Sequence, residues 1–171
     1  MARQSKVEFE LNRKVHAQIL NARLIELQNT DGGWGIDRGY GSNALDTALA
    51  LSAIVNYNVK SHINTAVNYL IGQQNTDGGW SSREGADSKI YVTTVVLNLL
   101  KQLNQHPDIA AAGIDWLVGQ QNTDGGFGES SSSLHVTANV IKTLINFRAG
   151  DKIGFSSAAD YLMNNQQENG S

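Results

Sequence analysis

One phrase repeats along this chain and limits what it can fold into. Gln28-Asn29-Thr30-Asp31-Gly32-Gly33-Trp34 returns unchanged as Gln74-Asn75-Thr76-Asp77-Gly78-Gly79-Trp80, and again as Gln121-Asn122-Thr123-Asp124-Gly125-Gly126-Phe127. A worn copy, Gln166-Gln167-Glu168-Asn169-Gly170-Ser171, closes the sequence. The leading glutamines, Gln28, Gln74, Gln121 and Gln166, recur 46, 47 and 45 residues apart. A fixed period of this size marks one supersecondary unit used several times, each copy burying its apolar face on the next. The period divides a single repeat domain, 1–171, into an outer helix of a partial repeat (5–28), repeats at 29–74, 75–121 and 122–166, and the start of a truncated repeat (167–171).

Within a unit, Asp77-Gly78-Gly79 is a turn signal, because Asp bonds its own backbone and Gly permits positive φ. After a polar stretch comes Ile90-Tyr91-Val92-Thr93-Thr94-Val95-Val96-Leu97-Asn98-Leu99-Leu100, whose β-branched run alone suggests a buried strand. The aligned segments Ala44 to Ile54 and Leu134 to Leu144 decide for helix. The first is rich in Ala and Leu, and three copies of one unit share one state. These inner helices are apolar nearly all round and are expected to be buried on most faces. The second segment is one-sided. Ile63, Ala66, Val67 and Leu70 fall at helical spacing, as do Ala110, Gly113, Ile114 and Leu117, and then Phe155, Ala158, Ala159 and Leu162. Ser61 is read as an N-cap, and Pro107-Asp108 as a helix start. The expected fold is therefore all-α, with about seven helices in helical-hairpin repeats.

A chain of 171 residues suits one domain with a sizeable core. The net charge of −3, without a basic cluster, argues against nucleic acid and anionic membranes. The absence of cysteine removes disulfides, Cys-zinc sites and thiol nucleophiles, and leaves the compartment open. Met1 to Asn12 has no apolar stretch, so no signal peptide is read, and no run approaches a membrane span. The worn last copy stops just before its aromatic residue, which reads as a chain excised from something longer.

Gln followed by Asp-Gly-Gly-Trp resembles the "QW" repeat of squalene and terpene cyclases. Those share an α/α toroid with protein prenyltransferase β subunits and complement-type thioester domains. Asp46-Thr47-Ala48-Leu49-Ala50-Leu51 is similar to the inner-helix start common in these proteins. The resemblance runs from about Leu24 to Ser171 and implies half a toroid or an open superhelical stack.

The loop residues Gln28, Asp31, Trp34, Gln74, Asp77, Trp80, Gln121, Asp124 and Phe127 read as structural staples. The glutamine amides meet free helix-end groups, and the aromatic rings cover the joints between repeats. Calcium is the rival, since acids recur near glycines, but each loop offers only one or two where a protein cage needs six to eight oxygens.

By resemblance, function lies in the lumen lined by the inner-helix starts. The aligned positions there are Leu45/Tyr91/His135, Asp46/Val92/Val136 and Thr47/Thr93/Thr137. The cavity or binding candidates are Asp46, Thr47, Tyr91, Thr93, His135 and Thr137. The threonines are read either as lumen groups or as hydroxyls bonding the carbonyl one turn back. Asp46 is the one catalytic candidate, as a general acid raised by burial, against the plainer role of a carboxylate at a helix start. Cyclases of this kind that protonate an alkene use Asp-x-Asp-Asp, and the matching stretch here is Asn43-Ala44-Leu45-Asp46. The resemblance to prenyltransferases implies a zinc held by Asp, Cys and His, but this chain has no Cys and His135 stands alone. No metal and no cofactor are therefore expected. The expected function is a non-catalytic module that binds a hydrophobic, terpenoid-like molecule or a protein partner on its inner-helix face. The alternative is a fragment of a terpenoid cyclase or prenyltransferase-type enzyme whose acids lie in absent repeats. A homodimer closing two half toroids is also expected.

Overall fold

The computed structural model describes residues 15–57 and 59–166. It contains seven α-helices and no strand among the described residues. Helix α1 covers 15–26. It is followed by α2 (Ala44–Ile54), α3 (Lys60–Gly72), α4 (Ile90–Leu103), α5 (Pro107–Val118), α6 (Leu134–Asn146) and α7 (Phe155–Asn165), with a short 3-10 turn at Gly150–Lys152. The expected first outer helix reaches back to residue 5 and the truncated repeat covers 167–171; residues 5–14 and 167–171 lie outside the described residues.

Inner helices pack side by side, α2 on α4 and α4 on α6, while α3, α5 and α7 each pack on the inner helix that precedes them in the chain. Helix α4 is therefore flanked on both sides. It buries eight residues, against five each on α2 and α6, although all three carry the same apolar pattern. The strand-like run Ile90 to Leu100 is helical because the stack surrounds it: Val96, Leu97 and Leu100 enter one continuous core with Leu51, Leu70, Leu117 and Leu144. Each such fully buried side chain contributes about 1.5–3 kcal/mol, which exceeds the helix-propensity cost of a β-branched residue.

Pro107 opens α5 at its first position, and Asp108 follows in the first turn. The expected apolar stripes are buried on α3 and α5. On α7 only Ala158 is buried and Phe155 is 44% exposed, because α7 packs on α6 and carries no further helix among the described residues. The N-cap reading of Ser61 is corrected. Helix α3 starts at Lys60, two residues earlier than a Ser61 cap implies, with Val59 at the cap, so Ser61 already lies in the first turn.

Candidate functional site

The repeated loop is built as a clasp, and its parts recur with the same geometry. The aromatic residue is gripped at both ends of its peptide unit. Trp80 N donates to Thr93 Oγ1 at 2.9 Å, and Trp80 O accepts from Lys89 N at 2.8 Å. The equivalent pairs are Trp34 N to Thr47 (2.9 Å) with Asn43 N to Trp34 O (3.0 Å), and Phe127 N to Thr137 (2.8 Å) with Ser133 N to Phe127 O (3.0 Å). Thr47, Thr93 and Thr137 are fully buried at these contacts. Neither sequence reading of that column describes them, since the hydroxyls face the loop backbone rather than a lumen or the preceding turn. The back-bond one turn earlier is made by the neighbouring Thr94, whose Oγ1 donates to Ile90 O at 2.7 Å.

The acid of each loop holds the turn from inside. Asp77 Oδ1 accepts from Gly79 N at 2.9 Å and from Ser88 Oγ at 2.7 Å. Asp31 does the same with Gly33 (2.9 Å) and Ser42 (2.8 Å), and Asp124 with Gly126 (3.0 Å) and Ser132 (2.6 Å). These bonds hold the Asp124 carboxyl below the usual carboxylate range, the Ser132 hydroxyl first and the Gly126 amide second. Asp31, Asp77 and Asp124 are thus turned onto their own loops, while Glu129 reaches Lys89 and Ile90 N at the start of α4, and no group of three His, Cys, Asp or Glu is placed to hold a metal among the described residues.

The glutamine joins one outer helix to the next. Gln74 Nε2 donates to Gly78 O in its own loop (2.8 Å) and to Ile109 O in the first turn of α5 (3.0 Å). Gln28 reaches Gly32 O (2.7 Å) and His62 O on α3 (3.0 Å), with its Oε1 against His62 Nδ1. Gln121 reaches Gly125 O (2.9 Å) and Gly154 O (3.2 Å), and accepts from Gly154 N (3.0 Å) at the start of α7. The first loop glycine lies against that same next helix. At Gly78, φ is +94° and a Cβ would meet Ala112 O at 2.5 Å, so both backbone conformation and close approach require glycine. The tryptophans bridge as well: Trp34 Nε1 donates to Leu24 O (2.7 Å) and Trp80 Nε1 to Leu70 O (2.8 Å). The serine column, Ser42, Ser88 and Ser132, was missed in the sequence, although each stands five residues before its threonine.

Of the lumen candidates, the fold brings together Tyr91 and His135. With Ile90, Thr94, Val95, Asn98, Val136 and Asn139 they line a cavity of about 100 Å³. All its walls come from α4 and α6 and none from an outer helix, so it lies on the inner-helix side of the stack. Tyr91 is about half exposed at its edge. The polar groups form a chain: Asn98 Nδ2 donates to Thr143 Oγ1 (3.0 Å), Thr143 Oγ1 donates to Asn139 O (2.9 Å), and Asn139 Nδ2 lies 3.0 Å from His135 Nε2. Asn98 and Asn139 were also missed. Their signal is helical spacing, seven residues after Tyr91 and four after His135.

Asp46 does not join this site. It lies on α2, where Asn43 Nδ2 donates to its Oδ2 (2.6 Å) and its own amide donates to Asn43 Oδ1 (2.9 Å). The pair closes the start of α2 in the manner of a reciprocal cap. Larger hollows lie elsewhere. One, of about 320 Å³, surrounds Gln28 and His62 at the first staple. Two others sit on the flanks, about 550 Å³ beside α1 and α2 and about 410 Å³ beside α6 and α7.

The model of the squalene-hopene cyclase C-terminal domain matches residues 42–171. The chain belongs to that family. The fold of a solved ent-copalyl diphosphate synthase from Streptomyces platensis is similar, with a TM-score of 0.71 at 17% sequence identity. The match covers 84% of this chain and 31% of that one, so this chain spans about a third of that protein's length. No curated protein matches. The squalene-hopene cyclase family accounts for the all-α repeat architecture, which has the fold of a terpene cyclase-like α/α toroid. No described helix is long and apolar enough to cross a membrane.

Proposed function

We propose that this chain is a terpene-cyclase-like module that holds an apolar small molecule on its inner-helix face and does no chemistry there by itself. The observation that carries the reading is the α4/α6 cavity, where Ile90, Val95, Val136 and the Tyr91 ring meet the polar side chains of Thr94, Asn98, His135 and Asn139, the mix of apolar surface and convergent polar groups that ligand sites use. No carboxylic acid lines it, and Asp46 is occupied by its cap with Asn43. An acid able to protonate an alkene would instead need an apolar, unpaired setting that raises its pKa. The second reading is a piece of a larger cyclase, favoured by the small share of the solved synthase that the chain covers. In that case the flanks of α2 and α6 receive further repeats. A second copy of the chain is the other occupant, closing two partial toroids into a dimer.

Native mass spectrometry of the purified chain tests these readings together. The module reading expects an apolar molecule retained by the protein, or taken up from an added terpenoid alcohol, with no change in that molecule's mass. Release of a cyclised product supports the enzyme reading. A bare protein that takes up no apolar molecule refutes the module reading and leaves the larger-cyclase reading, and a monomer at high concentration refutes the dimer.

A further inference from the structure

We infer that the α4/α6 cavity selects a neutral ligand group bearing one hydroxyl, such as a small hydroxylated ring or branched alkyl alcohol, over a bare hydrocarbon and over an anion. The inference rests on the proposed apolar-ligand reading and adds the chemistry of the group that enters.

Three features lead to it. The first is hydrogen-bonding capacity. Because Asn98 Nδ2 is turned to Thr143 Oγ1, Asn98 keeps its carbonyl oxygen as an acceptor, and that oxygen makes no hydrogen bond among the described residues. With Asn139 Nδ2 donating to His135 Nε2, an arrangement assigned from the hydrogen-bond network, the ring proton sits on Nδ1 and is a donor. The lining residues therefore keep both acceptors, Asn98 Oδ1 and Asn139 Oδ1, and donors, His135 Nδ1 and the Tyr91 hydroxyl, so a hydroxyl, which both donates and accepts, can be answered on both counts. A hydrocarbon answers none of them.

The second feature is charge. None of the eight lining residues is Asp, Glu, Lys or Arg. At the start of α4, Lys89 and Glu129 pair with each other: Lys89 Nζ lies 3.1 Å from Glu129 Oε2, while Glu129 Oε1 accepts from Ile90 N at 3.0 Å. A carboxylate or diphosphate entering the cavity would meet no lining charge of opposite sign to offset the hydration it gives up.

The third feature is size. A dry cavity of about 150 Å³ accepts a benzene ring. At about 100 Å³, this one takes most of a six-membered ring or a branched four- to five-carbon group, with the rest of the ligand emerging past half-exposed Tyr91.

The test compares three probes of one shape: cyclohexanol, methylcyclohexane and cyclohexanecarboxylate. Each is titrated into the full chain and followed by amide chemical shifts. Shifts at Tyr91, Asn98, His135 and Asn139 are expected, with cyclohexanol bound about 5–10-fold more tightly than methylcyclohexane and the carboxylate weakest. The variants His135→Phe, which removes the donor, and Asn98→Ala, which removes the acceptor, should each lower the alcohol-to-hydrocarbon ratio. Either variant alone suffices if the other does not fold. Equal affinities for alcohol and hydrocarbon, or a ratio unchanged by the variants, overturn the inference and leave the apolar-ligand reading standing. If no probe shifts these amides, the reading itself fails and the inference falls with it.

Discussion

Two adjacent threonines on α4 carry the same side chain at nearly the same burial, 0% exposed for Thr93 and 5% for Thr94, yet they do different work. Thr93 Oγ1 is the acceptor for Trp80 N in the loop that joins the repeats. Thr93→Val keeps the volume and removes that acceptor, leaving a buried N–H without a partner, which costs about 1–3 kcal/mol. Thr94 Oγ1 only donates to Ile90 O, a carbonyl within its own helix. Thr94→Val leaves no backbone donor unpaired and should cost less than about 1 kcal/mol. For a chain of this size, each kcal/mol lowers Tm by about 2–4 °C, so Thr93→Val should lie roughly 2–12 °C below wild type and Thr94→Val within a few degrees of it. Urea unfolding followed by circular dichroism measures the difference. Equal losses for the two variants, or a larger loss for Thr94→Val, would refute the argument that the buried threonine column acts as the loop's acceptor.

The glycines separate in the same way. Gly78→Ala meets both a positive φ and Ala112 O at 2.5 Å, whereas Gly85 has a positive φ but nothing within 4 Å. Gly85→Ala should cost about 1–2 kcal/mol of left-handed strain and Gly78→Ala distinctly more, by the same unfolding assay. For Asp124, whose folded pKa is lowered, the stabilising contribution is present above the ordinary carboxylate pKa and is lost as pH falls through the folded value. Ser132→Ala should move that carboxyl up toward its usual range in a carbon-detected NMR titration. Tyr69 is pushed up to about 12, by burial first and then by the Asp31 and Glu84 charges. Its phenolate is therefore disfavoured in the folded state, and stability should decline as pH rises from about 10 toward that value. An absorbance titration at alkaline pH should show one tyrosine ionising last, and Tyr69→Phe should remove that step.

The helices and their order were legible because the loop phrase sets the register and three aligned segments average out local ambiguity. The strand-like run of α4 was resolved in this way. What the repeated phrase left hidden was the partner of each side chain. The threonine column was visible, but its bond runs to an aromatic residue 13 positions earlier in two copies and 10 in the third, because the last loop is shorter. Counted forward from the glutamine, that change blurs the pattern; counted back from the threonine, the serines fall at a constant five. The stripe on α7 shows a second limit. A periodic pattern identifies the face that prefers burial, not whether a neighbour covers it, and only Ala158 is covered there. The inner-face site was half legible. Tyr91 and His135 follow from alignment, while Asn98 and Asn139 join them only once α4 and α6 lie side by side.

The central claim is that the repeated loops are clasps between stacked helix pairs rather than mobile connections. Native-state hydrogen exchange at the amides of Trp34, Trp80 and Phe127 tests it most directly. Each is a loop amide bonded to a buried threonine hydroxyl, and the account predicts exchange as slow as at the core amides of α4, such as Val96 and Leu97. Exchange at the rate of the exposed loop residues Arg83 and Glu84 would contradict it.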